Sequence, residues 1–273
     1  MLTLIPTPIG NIQDITYRAI KSLKESNLIL CEDTRVTKQL INLLNSKLNA
    51  GIVIQDIISF HEHNGVERLK VISNRLESEN VVYVSDAGMP SISDPGVLLV
   101  KYCQDNGIDY DVLPGSSVPP LIYAACGFDS GRFIFYGFLP HKGRERRSEL
   151  NRVLSHEYDT ILYESPHRLK KLIEEICAID EDRELFVAKE ISKKFQKFFR
   201  CKAKEFLDIL NSISIKGEWA LVIKGAKKSQ SIDINTILDI DIPPKAKAKV
   251  LAKLTNTSTK EWYDKLQSGN LVK

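Results

Sequence analysis

Long apolar runs are missing from this chain. No stretch approaches the ~20 residues that a membrane-spanning helix needs, and the first residues, Met1-Leu2-Thr3-Leu4-Ile5-Pro6, carry neither a basic region nor a signal-peptide core. Both absences point to a cytoplasmic protein. Cysteine is sparse: Cys31, Cys103, Cys126, Cys177 and Cys201 are scattered with no CxxC pair. That excludes a disulfide or zinc framework and leaves reduced, mostly buried thiols. Three phosphate or nucleophile signatures are also absent. Without GxxxxGK[ST] there is no Walker-type phosphate cradle, without GxGxxG no ordinary dinucleotide site, and without GxSxG no nucleophile elbow. His61-Glu62-His63 has no third ligand at a supporting spacing, so no metal centre is expected. No repeat of fixed period and no low-complexity tract occurs.

What is present is an ordinary globular composition with an uneven charge. The 273 residues leave room for roughly two domains. Net charge is only +3, yet residues 1–130 hold 10 Lys+Arg against 15 Asp+Glu, and residues 131–273 hold 28 against 20. An acidic half joined to a basic half suggests a face for a polyanion, although a plain drift towards lysine is the blander alternative.

Apolar runs alternate with helical patterns from the start. Leu2–Ile5, Leu28–Cys31, Ile57–Phe60, Val81–Val84 and Tyr110–Leu113 read as strands. Between them fall helical patterns: one capped by Asp14 with Ile15, Ala19, Ile20 and Leu23 on one face, one through Leu40, Leu43 and Leu44, then 65–77 and 95–106. Such alternation predicts a mostly parallel sheet covered by helices. A break is expected at 119–131, with Pro119-Pro120, Gly127 and Gly131. A second alternating unit follows, with strands at Phe133–Tyr136, Thr160–Tyr163, Leu185–Ala188, Phe198–Cys201 and Ala220–Ile223 and helices at 143–155, 167–179 and 203–212. After a polar stretch, two short helices are expected at about 243–254 and 258–267. The expected division is therefore 1–118, a linker 119–131, 132–228, and a small extension 229–273.

Three corners in the first unit are rich in Gly, Pro and Ser: Pro6-Thr7-Pro8-Ile9-Gly10-Asn11, the long Ser85–Gly96 loop, and Pro114-Gly115-Ser116-Ser117. All follow strands. In a parallel sheet those strand ends share one edge, where ligands bind, and small residues let a ligand approach the backbone. Asp94 and Pro95 are placed to cap and open the helix after the long loop. The corner Cys31-Glu32-Asp33-Thr34-Arg35 falls on the same edge, either as a ligand contact or as a helix cap with a surface ion pair.

These corners, with Asp14-Ile15-Thr16, His61-Glu62-His63-Asn64, Gly137-Phe138-Leu139-Pro140, Tyr163-Glu164-Ser165-Pro166-His167-Arg168 and Lys216-Gly217-Glu218-Trp219, follow one another in an order that resembles the ribosomal small subunit methyltransferase I family. That family is a branch of the tetrapyrrole-methylase-like (class III) S-adenosylmethionine enzymes. The resemblance implies an α/β fold of two βα lobes with the cofactor in the inter-lobe cleft, plus a small C-terminal helical extension. It further implies 2′-O-methylation of a cytidine in the decoding centre of 16S rRNA, on the small ribosomal subunit, by a homodimer. The methyl donor, S-adenosyl-L-methionine, would then meet Pro8, Asp86, Gly88, Pro90, Ser91, Ile92, Ser116, Ser117, Tyr163, Trp219 and Ala220.

A ribose hydroxyl is a poor nucleophile near neutral pH, so a base or a cation should assist. Asp86, Glu164, Glu190 and Lys189 are the candidates, each with a structural alternative. RNA contacts are expected from Arg35, His61, His63, Lys142, Arg144, Arg146, Arg147, Lys193, Lys194 and Lys197. His141–Arg147 holds four cations, and Lys189–Lys204 holds seven against one acid with Phe195, Phe198 and Phe199 interleaved. Two other readings stay open: a small-molecule, tetrapyrrole-like methyltransferase, and a non-catalytic RNA-binding assembly factor.

Overall fold

A computed structural model describes residues 1–61, 64–92, 96–226, 234–255 and 257–268. In chain order the first lobe contains β1 (Leu2–Ile5), α1 (Tyr17–Glu25), β2 (Leu28–Cys31), α2 (Thr34–Leu48), β3 (Ile57–Ser59), α3 (Gly65–Ser78), β4 (Val81–Val84), α4 (Gly96–Asn106) and β5 (Tyr110–Val112). Its strands pair in the order β3-β2-β4-β1-β5, all parallel. Helices cover both faces. Leu2, Leu4, Leu28, Leu30 and Tyr83 pack towards α3 and α4, while Ile5, Ile29, Val82 and Val84 pack towards α1 and α2. Burial on both sides is why these strands read as unbroken apolar runs rather than alternating ones.

The second lobe contains α5 (Val118–Cys126), β6 (Phe133–Phe138), α6 (Gly143–Ser155), β7 (Asp159–Glu164), α7 (Pro166–Asp180), β8 (Glu184–Lys189), β9 (Lys197–Lys202), α8 (Ala203–Leu210) and β10 (Trp219–Ile223). The strand order is β6-β7-β10-β8-β9; only β6 and β7 run parallel, and the other pairs are antiparallel. One face, through Leu162, Val187 and Leu221, is covered by α6, α7 and α8. The opposite face, through Ile161, Phe186 and Val222, is covered by α5 (Ile122, Cys126) and by Ile9 from the first lobe.

Two expectations are corrected here. The stretch read as a break, 119–131, is helical as far as Cys126. Pro119 stands in the first turn, where its missing N–H costs nothing, and Gly127 ends the helix in the left-handed conformation (φ 64°). The residues that looked like interruptions are the start and stop of α5. Asp14 does not cap α1 either: it closes a 3-10 turn over Ile12–Asp14, and the Thr16 hydroxyl accepts from the Ala19 N–H. Asp94 and Pro95 lie outside the described residues.

Met1–Gly225 forms one compact unit and Ala226–Lys273 another. The second unit contains α9 (Ile234–Asp239), α10 (Pro244–Thr255) and α11 (Thr259–Ser268); Ala248, Leu251 and Ala252 are its buried face on α10. Among the described residues no helix is long and apolar enough to cross a membrane. Cys31, Cys103 and Cys126 are buried and all five thiols are free. Burial pushes the Cys31 thiol up to about 11, which leaves it protonated and unreactive.

Candidate functional site between the lobes

The three small-residue corners of the first lobe meet. Thr7 and Gly88 exchange two backbone hydrogen bonds of 3.0 Å, so the loop after β1 is bridged to the loop after β4. The Thr7 hydroxyl donates to Ser85 O and the Ser85 hydroxyl to Gly88 O, which locks the same bend from inside. Gly88 has φ 83°, and a Cβ there would sit 3.2 Å from Ile9. The third corner closes against the first, since a Cβ on Gly115 would lie 2.6 Å from the Pro6 Cβ. Close approach of backbone, rather than turn-making alone, accounts for these two glycines.

Two cavities open where these loops face the second sheet. One of about 250 Å³ is walled by Glu32, Asp86, Ala87, Gly88, Met89 and Ile92 on one side and by Ser117, Val118 and Pro119 on the other. The second, of about 320 Å³, runs on past Ile9, Ala87, Val118 and Tyr163, which line both, to Phe138, Glu164, Ala188, Ile191, Gly217, Glu218, Trp219 and Ala220. Its floor is a row across three strands. Tyr163, Ala220 and Ala188 are register partners on β7, β10 and β8. Two alanines side by side leave the hollow that larger side chains would fill. Together the cavities have the size of a small-molecule site.

The acids at the rim are held by backbone. Asp86 Oδ1 accepts from the Asp33 N–H at 3.2 Å, and Glu32 Oε1 accepts from the Asp86 N–H at 3.2 Å. Asp33 caps α2 and is pinned by Arg35, whose hydrogen bonds hold its carboxyl down at about 2. Tyr163 goes the other way: burial, with the negative charge of Glu218 adding to it, pushes its phenol up to about 12. The hydroxyl therefore stays neutral as a hydrogen-bond donor.

The four acid–base candidates separate. Asp86 is exposed and in the cavity wall. Glu164 lines the second cavity, but its carboxylate is fully buried between two guanidiniums, with Arg168 Nε at 2.7 Å and Arg146 at 3.4 Å, and it also accepts from the Ser165 N–H. Glu190 faces the loop before β10. It accepts from the Glu218 N–H at 2.7 Å and from Lys193, and those bonds draw its pKa down. Lys189 points to the other face of the sheet, over the Trp219 ring and onto Ser214 O. Neither Glu190 nor Lys189 is among the residues lining the two cavities.

Of the expected donor contacts, Asp86, Gly88, Ile92 and Ser117 line the first cavity, Trp219 and Ala220 the second, and Tyr163 both. Ser116 lines a neighbouring hollow of about 530 Å³ with Ser117 and Ser192. Pro8, Pro90 and Ser91 belong to the converging loops without lining the two cavities; Ser91 adopts a left-handed φ of 67°. Val118 and Ala188 carried no sequence signal, because each reads as an ordinary apolar residue, and Ile9 stood in a corner singled out for its small residues without being named as a contact itself.

Among the expected RNA contacts, Lys142, Arg144, Arg147, Lys194 and Lys197 are exposed. Arg35 is exposed but forked onto Asp33. His61 is half-buried against Asn64, and His63 lies outside the described residues. Lys193 is half-buried between Glu190 and Glu218. Arg146 is corrected: it is buried, with bonds to Glu175, Glu164 and Pro140 O, and cannot meet RNA. It falls on the inward stripe of α6 with Leu150, Val153 and Leu154, a helical spacing that the run of cations disguises. Phe195 and Phe198 are exposed, whereas Phe199 packs on Phe206 and Trp219. No cluster of His, Cys, Asp or Glu able to hold a metal occurs among the described residues.

The Tetrapyrrole (Corrin/Porphyrin) Methylases family model matches residues 1–207. "Ribosomal RNA small subunit methyltransferase I" of Campylobacter fetus is 43% identical over 269 residues, spanning 97% of this chain and 99% of its own. This chain belongs to the ribosomal RNA small subunit methyltransferase I family. The Helicobacter pylori (strain 26695) member is 39% identical, with 96% of each chain covered. The family's fold is also that of solved methylases of distant sequence. Cobalt precorrin-4 methyltransferase, a cobalamin biosynthetic enzyme, superposes with a TM-score of 0.58 at 18% identity over 82% of this chain and 94% of its own. Uroporphyrin-III-C-methyltransferase of Thermus thermophilus gives 0.57 at 15% identity, with 82% and 94% covered.

Two outcomes are expected from this geometry. Replacing Arg146 by Ala removes one of the two cations on the buried Glu164 and leaves Arg168 as the other. It should lower stability by about 1.5–3 kcal/mol, the worth of hydrogen bonds to a charged group, read as the urea unfolding midpoint. Glu190 has a folded pKa below its ordinary 4.5. Its contribution is therefore complete above that value and is lost as pH falls through the lower folded one. The unfolding midpoints of wild type and Glu190→Gln should differ at neutral pH and converge in acid.

Proposed function

We propose that this protein transfers a methyl group from S-adenosyl-L-methionine to the 2′-hydroxyl of a cytidine in the decoding centre of 16S rRNA, acting in the cytoplasm on the small ribosomal subunit as a homodimer. The observation that carries the donor half of this reading is the convergence of the three first-lobe loops, with two carboxylates, on a cavity continuous with the alanine-floored hollow of the second sheet. The substrate half rests on family membership and on the exposed cations that follow β6.

The residues fit such a donor. Asp86 and Glu32 supply negative charge beside a cationic ligand, and Gly88 lets it lie against the backbone. Tyr163 with Ala188 and Ala220 offers a flat, apolar bed of the kind a purine takes. When bound, S-adenosylmethionine supplies an electrophilic methyl group on a sulfonium. The protein's main task is then alignment, which can lower a barrier by roughly 7–11 kcal/mol. The proton of the 2′-hydroxyl has to leave as the new C–O bond forms. Of the four candidates, Asp86 alone combines an exposed carboxylate with a place in the cavity wall; Glu164, Glu190 and Lys189 hold the scaffold around it. The distant tetrapyrrole methylases share the fold at 18% and 15% identity, whereas the rRNA methyltransferase relatives are 43% and 39% identical over nearly the whole chain, and that difference favours the RNA substrate.

Calorimetry should register S-adenosylmethionine binding to the isolated protein. Mass spectrometry of 16S rRNA from a deletion strain should show loss of one cytidine 2′-O-methyl group; an unchanged signal refutes the substrate. Replacing Arg144 and Arg147 by Ala should weaken subunit binding and make the slope of log K against log salt shallower, by about 0.7–0.9 for each phosphate no longer neutralised. An unaltered slope removes these arginines from the interface.

A further inference from the structure

Strand β6 contains an irregularity that decides which way one aromatic side chain points. Its ladder with β7 runs Phe133↔Asp159, Ile134↔Thr160, Phe135↔Ile161, then slips by one residue, so that Gly137 faces Leu162 and Phe138 faces Tyr163. The extra residue is Tyr136, and Gly137 takes the left-handed φ of 79° that such a bulge favours. In a regular strand Phe138 would share a face with Tyr136, which packs into the core beneath α6 to α8. The slip turns it to the opposite face, beside Phe135 and Tyr163. Both phenylalanines meet the Tyr163 ring edge-on, at 5.0 and 5.5 Å, although they stand three positions apart in one strand. Phe135 is half-buried, whereas Phe138 is 57% exposed at the lip of the second cavity.

The segment behind the ring is clamped. Leu139 O accepts from Arg168, and Pro140 O accepts from Arg146 at 3.1 Å. The two guanidiniums share the fully buried carboxylate of Glu164. The chain then passes into the exposed cations Lys142, Arg144 and Arg147. A re-aimed, exposed aromatic ring on a hydrogen-bonded support, with exposed cationic side chains a few residues on, has the composition of a site for unpaired nucleotides.

We propose that Phe138 is the platform on which an unpaired nucleobase of the RNA substrate stacks as its ribose enters the cleft, with Lys142, Arg144 and Arg147 holding the adjoining phosphates. This rests on the reading of the protein as an rRNA methyltransferase. Phe138 binds and orients substrate. The bulge at Tyr136 sets its face, and the Arg146–Glu164–Arg168 cluster fixes the segment that follows it.

The test uses full-length protein and small ribosomal subunits purified from a deletion strain. F138A, F138L and F138W are compared with wild type in donor affinity by calorimetry and in kcat/KM for subunit methylation. Unfolding midpoints should fall only slightly, because Phe138 is 57% exposed and its ring contact among the described residues is the edge of Tyr163. Phe138 borders the donor cavity, so donor affinity should shift far less than kcat/KM in all three. F138A and F138L should lose about 5- to 150-fold in kcat/KM, the range of one base–aromatic stack, and F138W should retain most of it. An F138L variant as active as wild type overturns the proposal, since an apolar side chain of any shape would then suffice. So does an F138A variant that loses donor affinity in parallel with methylation, because the ring would then belong to the donor, and so does an F138A variant that methylates normally. Failure of the underlying function looks different: wild type itself would transfer no methyl group to the subunits, and the platform would fall with it.

Discussion

The face of the second sheet that carries Ile161, Phe186, Ala188, Ala220 and Val222 has to be taken out of water, and α6 to α8 are already committed to the other side. Helix α5 covers part of it through Ile122 and Cys126, and Ile9 from the first lobe covers another part. What remains, over Tyr163, Ala220 and Ala188, is the hollow. The cleft is thus the uncovered remainder of a hydrophobic face, and the packing of Ile9 on that face is one of the contacts between the two lobes, with the Ser192–Asp14 hydrogen bond another. A burial requirement worth roughly 25 cal/mol per Å² of apolar surface sets the position of the site.

The first lobe supplies polarity to this apolar remainder. Its parallel order places β4 next to β1 and β1 next to β5, so their C-terminal loops are neighbours. The Thr7–Gly88 bridge and the close approach of Gly115 to Pro6 fuse those loops into one rim. Glu32 and Asp86 sit on it with their carboxylates tied to backbone N–H groups, which holds negative charge at the edge of the hollow. Backbone irregularity gathers around the same cleft. Of the described non-glycine residues with positive φ, Ser91, Glu190 and Ser192 lie in loops near it, while Asn49 ends α2. Residues held in sparsely populated conformations need over-determined surroundings. Here Glu190 is fixed by Glu218 and Lys193, and Ser192 by Asp14 and Gln196.

Charge in the second lobe is divided between inside and outside by helical period. Within His141–Arg147, Arg144 and Arg147 face solvent, and Arg146 turns inward to Glu164 and Glu175. One short run therefore provides both an exposed cationic margin and a buried clamp on the segment that follows Phe138. The bulge at Tyr136 does for β6 what the period of α6 does for the arginines: it decides which of several similar side chains meets the cleft.

The local elements were written in the sequence. The strands Leu2–Ile5, Leu28–Cys31 and Val81–Val84 and the helix 143–155 match their patterns end to end, because each strand is a short, largely apolar run followed by a polar or turn residue and the helix carries one apolar stripe at helical spacing. The Gly, Pro and Ser corners of the first lobe were legible too, as turn residues that follow strands. Pairing was not. Nothing in a run of apolar residues tells β10 to insert antiparallel between β7 and β8, or α5 to be a covering helix rather than a break. Nor does it tell Ile9 and Ala188 to line a cavity, or Arg146 and Phe138 to point to their respective faces. Those outcomes depend on which surfaces lie opposite one another, and residues far apart in the chain acquire opposite surfaces only when the lobes have packed.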